Sequence, residues 1–257
     1  MPTFDVLLAG GRAPAEPVSL PPRDGEAALG ALLAHPARPD GAPWVRAAMV
    51  STVDGGAWGE DDRSGSINNP ADHRVFLLQR ALADVVLVGA GTFRDERYTP
   101  LERPAALAGL SRTAGVAPTL VTAVVTRSGA VPPAMLAEGA TTLVYTTAEG
   151  ARPAGDDPRI VVVDDGSGDV DLRAVVADLA ARGLPRVVTE GGPHLLGALV
   201  RADLLDELVL TTSPLLVGAP PGRIVAGGEP VLHRDARLDT LLHSDGVLVA
   251  RWLLRPT

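Results

Sequence analysis

Short Val- and Leu-rich runs, separated by segments with helical patterning, constrain this chain more than any other feature. WVRAAMVS from Trp44, ADVVLV at 83–88, Thr119 to Thr126, Thr142 to Thr146, Ile160 to Val163, Arg186 to Thr189 and Glu207 to Thr212 each read as a buried strand. Between them, Asn69-Pro70 supplies an N-cap and a first helical residue, with Val75, Leu78 and Leu82 as the apolar stripe. Asp171 caps a helix carrying Leu172, Val175, Val176 and Leu179, which Gly183 stops. Further helices are expected from Pro193 through Ala202 and, shorter, around Pro133 to Glu138. Strands alternating with helices imply βαβ units and a mainly parallel sheet covered on both faces. Leu238 to His243 and Val247 to Leu254, turning at Ser244-Asp245-Gly246, add an antiparallel hairpin. Residues 95–118 read as a polar surface excursion. Residues 1–43 read as an irregular arm with one short helix within Glu26 to His35, and residues 44–257 as a single globular domain.

Composition removes whole classes of chemistry. Hydrophobic residues make up 46% and aromatics 3%, so Val, Leu and Ala must fill the interior. A net charge of −8 argues against nucleic acid, whose phosphates require a basic face. No apolar run approaches the ~20 residues of a membrane span, and the N-terminus lacks the pattern of a signal peptide. A cytoplasmic setting is therefore expected. The absence of cysteine excludes disulfides, thiolate nucleophiles and Cys-ligated metals. The absence of lysine excludes a Schiff base and a Walker A lysine. His35, His73, His194, His233 and His243 show no metal-ligand spacing, so no metal site is expected.

Two glycine-rich turns stand at the carboxyl ends of expected strands: Gly89-Ala90-Gly91-Thr92 and Glu190-Gly191-Gly192-Pro193. Each alone reads equally as a tight strand-to-helix turn or as a phosphate cradle. In an open α/β sheet, ligands bind outside the carboxyl ends of strands, where glycine lets backbone amides approach a pyrophosphate. Two such turns in one sheet favour a dinucleotide. Thr126-Arg127-Ser128, at the end of the third strand, reads either as exposed surface or as a reader of the adenosine 2′-phosphate. Asp54, after the first strand, has two readings as well. It is a desolvated acid that holds or protonates a ring, or an Asp-Gly turn residue capping local backbone.

VRAAMVSTVDG, ALADVVLVGAGTFRDERYTP, VVTEGGPHLLGALVRADLLDELVLTTSPLLVGA and LLHSDGVLVARWLL together resemble the reductase domain of bacterial riboflavin biosynthesis. The resemblance covers roughly residues 44–254 and is closest to stand-alone, actinobacterial-type pyrimidine reductases. It implies a dihydrofolate reductase-like three-layer α/β/α sandwich, NADPH as cofactor and a homodimer. By the same resemblance, Gly89, Ala90, Gly91 and Thr92 contact the cofactor. So do Gly191, Gly192, Pro193, His194 and Leu195, while Thr126, Arg127 and Ser128 hold the 2′-phosphate region. Ser51, Ser66, Arg80 and Glu96 are expected on the substrate side, with Asp54 and Glu190 as its catalytic carboxylates.

The sequence departs from the family at one place. The D-D-P-x-L-T-x-R pattern that helps hold substrate phosphate is replaced by Arg94-Asp95-Glu96-Arg97-Tyr98-Thr99-Pro100-Leu101, which leaves Arg94, Arg97 or Arg80 to serve. The leading expectation is NADPH-dependent reduction of 5-amino-6-(5-phosphoribosylamino)uracil. The alternatives are a dihydrofolate- or pterin-type reductase and a non-catalytic NADPH-binding protein.

Overall fold

The computed structural model describes residues 1–38, 41–96, 98–151, 157–164, 166–218, 222–228 and 234–254. In chain order the first elements are β1 (Phe4–Leu8), β2 (Val18–Leu20), α1 (Ala27–Leu32), β3 (Trp44–Thr52) and α2 (Pro70–Ala81). There follow β4 (Val85–Gly89), α3 (Ala90–Asp95), α4 (Ala108–Thr113), β5 (Val121–Val125), β6 (Thr142–Thr146), α5 (Ala148–Ala151) and β7 (Ile160–Val162). The last are α6 (Leu172–Ala181), β8 (Arg186–Thr189), α7 (Pro193–Arg201), β9 (Glu207–Ser213), β10 (Arg237–Ser244) and β11 (Val247–Leu253).

All strands join one 11-stranded sheet in the order β2-β1-β10-β11-β9-β3-β8-β4-β5-β6-β7. From β9 to β7 the neighbours run parallel, and from β9 to β2 they run antiparallel. Both faces of the parallel part are covered, which is why its strands read as unbroken apolar runs. Val85 and Leu87 point to one face and meet Val175 and Leu179 of α6 and Leu196 and Leu199 of α7. Val86 and Val88 point to the other, against Phe93, Leu101 and Met135. Beyond β3, α2 lays Val75, Leu78 and Leu82 over Val209, Leu242 and Val249. The architecture is an α/β/α sandwich.

Local signals operate as the sequence implies. Asn69 accepts from the amides of Ala71 (3.0 Å) and Asp72 (2.9 Å) at the start of α2, and Asp171 accepts from Arg173 (2.8 Å) and Ala174 (3.2 Å) at the start of α6. In the β10–β11 turn, Asp245 (φ 49°) and Gly246 (φ 82°) both take left-handed conformations, as a two-residue type I′ turn requires.

The N-terminal arm differs from the sequence expectation. Rather than irregular chain around a helix, it contributes β1, paired with β10, and β2, paired with β1. Phe4 and Val6 enter the core beside Leu29 and Leu33. Short α4 and α5 likewise form where the sequence shows only polar or Pro-rich chain.

Buried arginines hold this arm in place. Arg74 forks onto the Glu26 carboxylate (2.8 and 2.6 Å) and donates to the carbonyls of Pro2, Leu20 and Pro21. Arg46 and Arg251 share Glu207, and both also donate to carbonyls at the end of α1, among them Leu33 (2.7 Å) and Leu32 (3.0 Å). The side chains of Arg46 and Glu207 are both 0% exposed. Removing one member of such a cluster strands charge in the interior. Glu207→Ala should therefore lower unfolding free energy by about 3–5 kcal/mol, read from the urea midpoint. A midpoint within error of wild type would show that the cluster does not hold the arm to the sheet.

Candidate active site

Parallel pairing of β4 with β8 brings their carboxyl ends side by side, and with them the two glycine turns. The Gly89 amide donates to the Gly191 carbonyl at 2.8 Å. Gly191 adopts φ 87°, in the left-handed region, and a Cβ on Gly192 would stand 2.3 Å from the Thr92 hydroxyl oxygen. Close approach of the two turns therefore requires glycine there. Together they form one wall of a cavity of about 790 Å³, to which Gly89, Gly91, Thr92, Gly192, Pro193, His194 and Leu195 contribute. Ala90 is buried behind them.

This wall has the makings of an anion site. The helices α3 and α7 begin at Gly89 and Gly192 with no side-chain cap, unlike α2 and α6. Their first-turn amides remain available to an anion, and a Cβ at Gly91 would meet only open space. A dinucleotide pyrophosphate fits these residues. Thr126, Arg127 and Ser128 follow β5, one strand further along, and do not line the cavity. Arg127 is 76% exposed and lies 3.6 Å from Asp169.

Glu190, the first residue of the second glycine turn, lines the same cavity. Its carboxylate takes a bidentate pair from Arg80 of α2 (2.6 and 2.7 Å) and the Tyr98 hydroxyl (2.8 Å). The Arg80 guanidinium also packs over the rings of Phe76 and Tyr98, 4.3 and 5.6 Å from their centroids. Glu190 and Arg80 thus line the cavity as expected, but each is already held by the other. Glu96 also lines it and accepts from the Ser64 amide (3.1 Å) and hydroxyl (2.9 Å). Arg94 is exposed, and Arg97 lies outside the described residues.

Three residues expected on the substrate side also stand elsewhere. Asp54 is exposed and outside the cavity lining; its carboxylate accepts from the Thr52 hydroxyl and from the amides of Val217 (3.2 Å) and Gly218 (2.8 Å). The Thr52 hydroxyl, then the Gly218 amide, hold its pKa below the ordinary value. A solvated, hydrogen-bonded carboxylate cannot be the desolvated acid, and the backbone amides it caps belong to a distant loop rather than to its own turn. Ser66 is exposed and ties its own loop, donating to the Arg63 carbonyl (2.7 Å) and accepting from the Gly59 amide (3.0 Å), while Ser64 and Gly65 face the cavity. Ser51 is buried within β3 and does not line it.

Among the acids that line this cavity, Asp72, in the first turn of α2, is only 8% exposed and, unlike the buried Glu190, is not paired with an arginine. Burial pushes its pKa up to about 6, against the Thr211 hydroxyl of β9 and the neighbouring His73, both of which favour the charged form. A signal existed: Asp72 lies three residues before Val75, a carboxylate on the buried stripe of its own helix. Among the described residues, no group of His, Asp and Glu could hold a metal ion.

Because Asp72 binds its proton more tightly folded than unfolded, its contribution to stability is full below pH ~4 and is lost as pH rises through about 6. Asp72→Asn should match wild type near pH ~4 and exceed it by about 2–3 kcal/mol above pH ~7, measured by denaturant titration at both pH values. Equal stabilities at both would contradict a buried, strained carboxylate.

Comparison with known proteins agrees with this arrangement. The RibD C-terminal domain family matches residues 43–248. The 2,5-diamino-6-ribosylamino-4(3H)-pyrimidinone 5′-phosphate reductase of Archaeoglobus fulgidus is 26% identical over 198 residues, covering 75% of this chain and 90% of that protein. RibD of Mycobacterium tuberculosis is 28% identical over 180 residues, 70% of this chain but 44% of that longer protein. Among solved structures, a pyrimidine reductase-like protein of Corynebacterium diphtheriae superposes with a TM-score of 0.69 at 20% identity, covering 84% of this chain and 93% of that one. By its sequence match, carried on a sheet that brings the two glycine turns together, the chain belongs to the RibD C-terminal domain family.

Proposed function

We propose that the chain is an NADPH-dependent reductase of a 5-amino-6-ribosylaminopyrimidine 5′-phosphate, the reaction class named for its archaeal relative. The observation that carries this reading is the Gly89–Gly191 contact, which makes one pyrophosphate-sized wall from two glycine turns beside a slot for a ring. When bound, the cofactor supplies a hydride to C1′ of the ring-opened ribose imine. The imine nitrogen gains a proton, and the product is the ribitylamino compound.

The chain's own part is placement. The uncapped first turns of α3 and α7 hold the pyrophosphate, and Arg127 reads the 2′-phosphate from the neighbouring strand end. The Glu190–Arg80–Tyr98 cluster fixes the height of the second glycine turn, and so of the nicotinamide. Val75, Phe76 and Val209 close the ring slot to water. The reading carries with it a cytoplasmic setting and a homodimeric assembly. A second reading, a dihydropterin or dihydrofolate as substrate, is favoured by Asp72, because a pteridine presents the same 2-amino edge that a buried carboxylate can grip.

Loss of NADPH absorbance with each candidate substrate tests the proposal. Turnover is expected with the ribosylaminopyrimidine phosphate; turnover with dihydrofolate alone would replace the leading reading by the second. Arg127→Ala should weaken NADPH binding ~10-fold or more and leave NADH nearly unchanged, as loss of a charge-assisted phosphate contact implies. Equal losses for both cofactors would remove Arg127 from the 2′-phosphate site.

A further inference from the structure

Among the described residues, the buried carboxylates follow a rule with one exception. Glu26 is paired with Arg74, Asp84 with Arg186, Glu190 with Arg80, Asp206 with Arg38, and Glu207 with Arg46 and Arg251. Asp72 is as buried as these, yet among the described residues no arginine stands within ion-pair distance of it. A buried charge without a partner is costly and persists where its use repays that cost. The Thr211 hydroxyl and the neighbouring His73 favour its charged form, and it lines the cavity together with the apolar Ala48, Val50, Val75, Phe76 and Val209. An acid among such walls suits a flat ring whose edge supplies the donors that arginine supplies elsewhere in the molecule.

We propose that Asp72 is a specificity-determining residue that selects a 2-aminopyrimidin-4-one ring over the corresponding 2-oxo (uracil) ring. An ionised carboxylate only accepts hydrogen bonds. The 2-aminopyrimidinone edge offers two adjacent donors, N3–H and the 2-amino group, with the spacing of an amidine. At the same edge the uracil places the C2 carbonyl beside N3–H, so one carboxylate oxygen would face another oxygen in a buried site. Sites built for a hydrogen-bonding group reject analogues lacking it steeply, because their own polar atoms are left unpaired. The inference rests on the proposed reductase function and adds which ring that function takes.

The test uses the full chain with NADPH and two substrates, 2,5-diamino-6-ribosylamino-4(3H)-pyrimidinone 5′-phosphate and 5-amino-6-ribosylaminouracil 5′-phosphate. Wild type should favour the diamino compound by about 100-fold or more in kcat/KM. Asp72→Asn presents one donor and one acceptor, which suits the uracil edge. It should bring the ratio to about unity or reverse it, mainly through KM, with NADPH affinity retained. A wild-type preference for the uracil compound, equal use of both, or an unchanged ratio in Asp72→Asn would each overturn the assignment while leaving the reductase function standing. Turnover of neither substrate would instead overturn the proposed function itself.

Discussion

Where β4 and β8 cease to pair, the Gly89 amide turns to the Gly191 carbonyl, and the rest of the site is arranged around that contact. It sets the spacing of two helix starts, α3 and α7, neither of which has a capping side chain. It works only because residue 192 has no Cβ to meet Thr92 and because Gly191 tolerates a left-handed backbone. The residue before the turn, Glu190, is held by Arg80 and Tyr98, so the turn is fixed from α2 as well as from the sheet. Placement of a reactive nicotinamide within a fraction of an ångström depends on supports of this kind.

Arginine is the only long cation this chain has, and the fold makes use of its planar fork. Arg74 gathers a carboxylate and backbone carbonyls from β2 and the chain around it into one buried knot. Arg103 does the same beneath α2, donating to the carbonyls of Ala81 (3.0 Å), Ala83 (2.9 Å) and Ala117 (2.8 Å). A lysine ammonium is a compact point charge and could not satisfy acceptors spread so widely in a plane. The Arg74 knot ties the N-terminal arm to α2, the helix whose Arg80 holds Glu190, so arm and site are parts of one packing problem.

The elements that position the site were legible because their signals are local. Asn69-Pro70 and Asp171 announce helix starts, Ser244-Asp245-Gly246 announces a hairpin, and doubly buried strands betray themselves by unbroken apolar runs. The glycine turns were legible as turns, and two in one sheet pointed to one ligand. What escaped is whatever depends on long-range partners. The strand β1 has only Phe4 and Val6 facing inward over five residues, and its pairing with β10 joins chain ends that no sequence window spans. Glu190 read as a free carboxylate because nothing local reveals Arg80, 110 positions away.

Asp54 and Asp72 show how the same side chain takes opposite roles. Sequence position favoured Asp54, since it follows a buried strand, and the first turn of a helix is an ordinary place for an acid such as Asp72. Solvent decides otherwise. At Asp54 the Thr52 hydroxyl and the amides of Val217 and Gly218 stabilise the charged form, so its carboxylate stitches residue 54 to the loop after β9. Asp54 therefore serves the loop it caps and does not line the cavity. At Asp72 burial outweighs the Thr211 hydroxyl and His73, and the charged form is disfavoured. A carboxylate whose charge is already satisfied gains little from a ligand, whereas one held at the edge of ionisation gains a great deal from two donors on a ring.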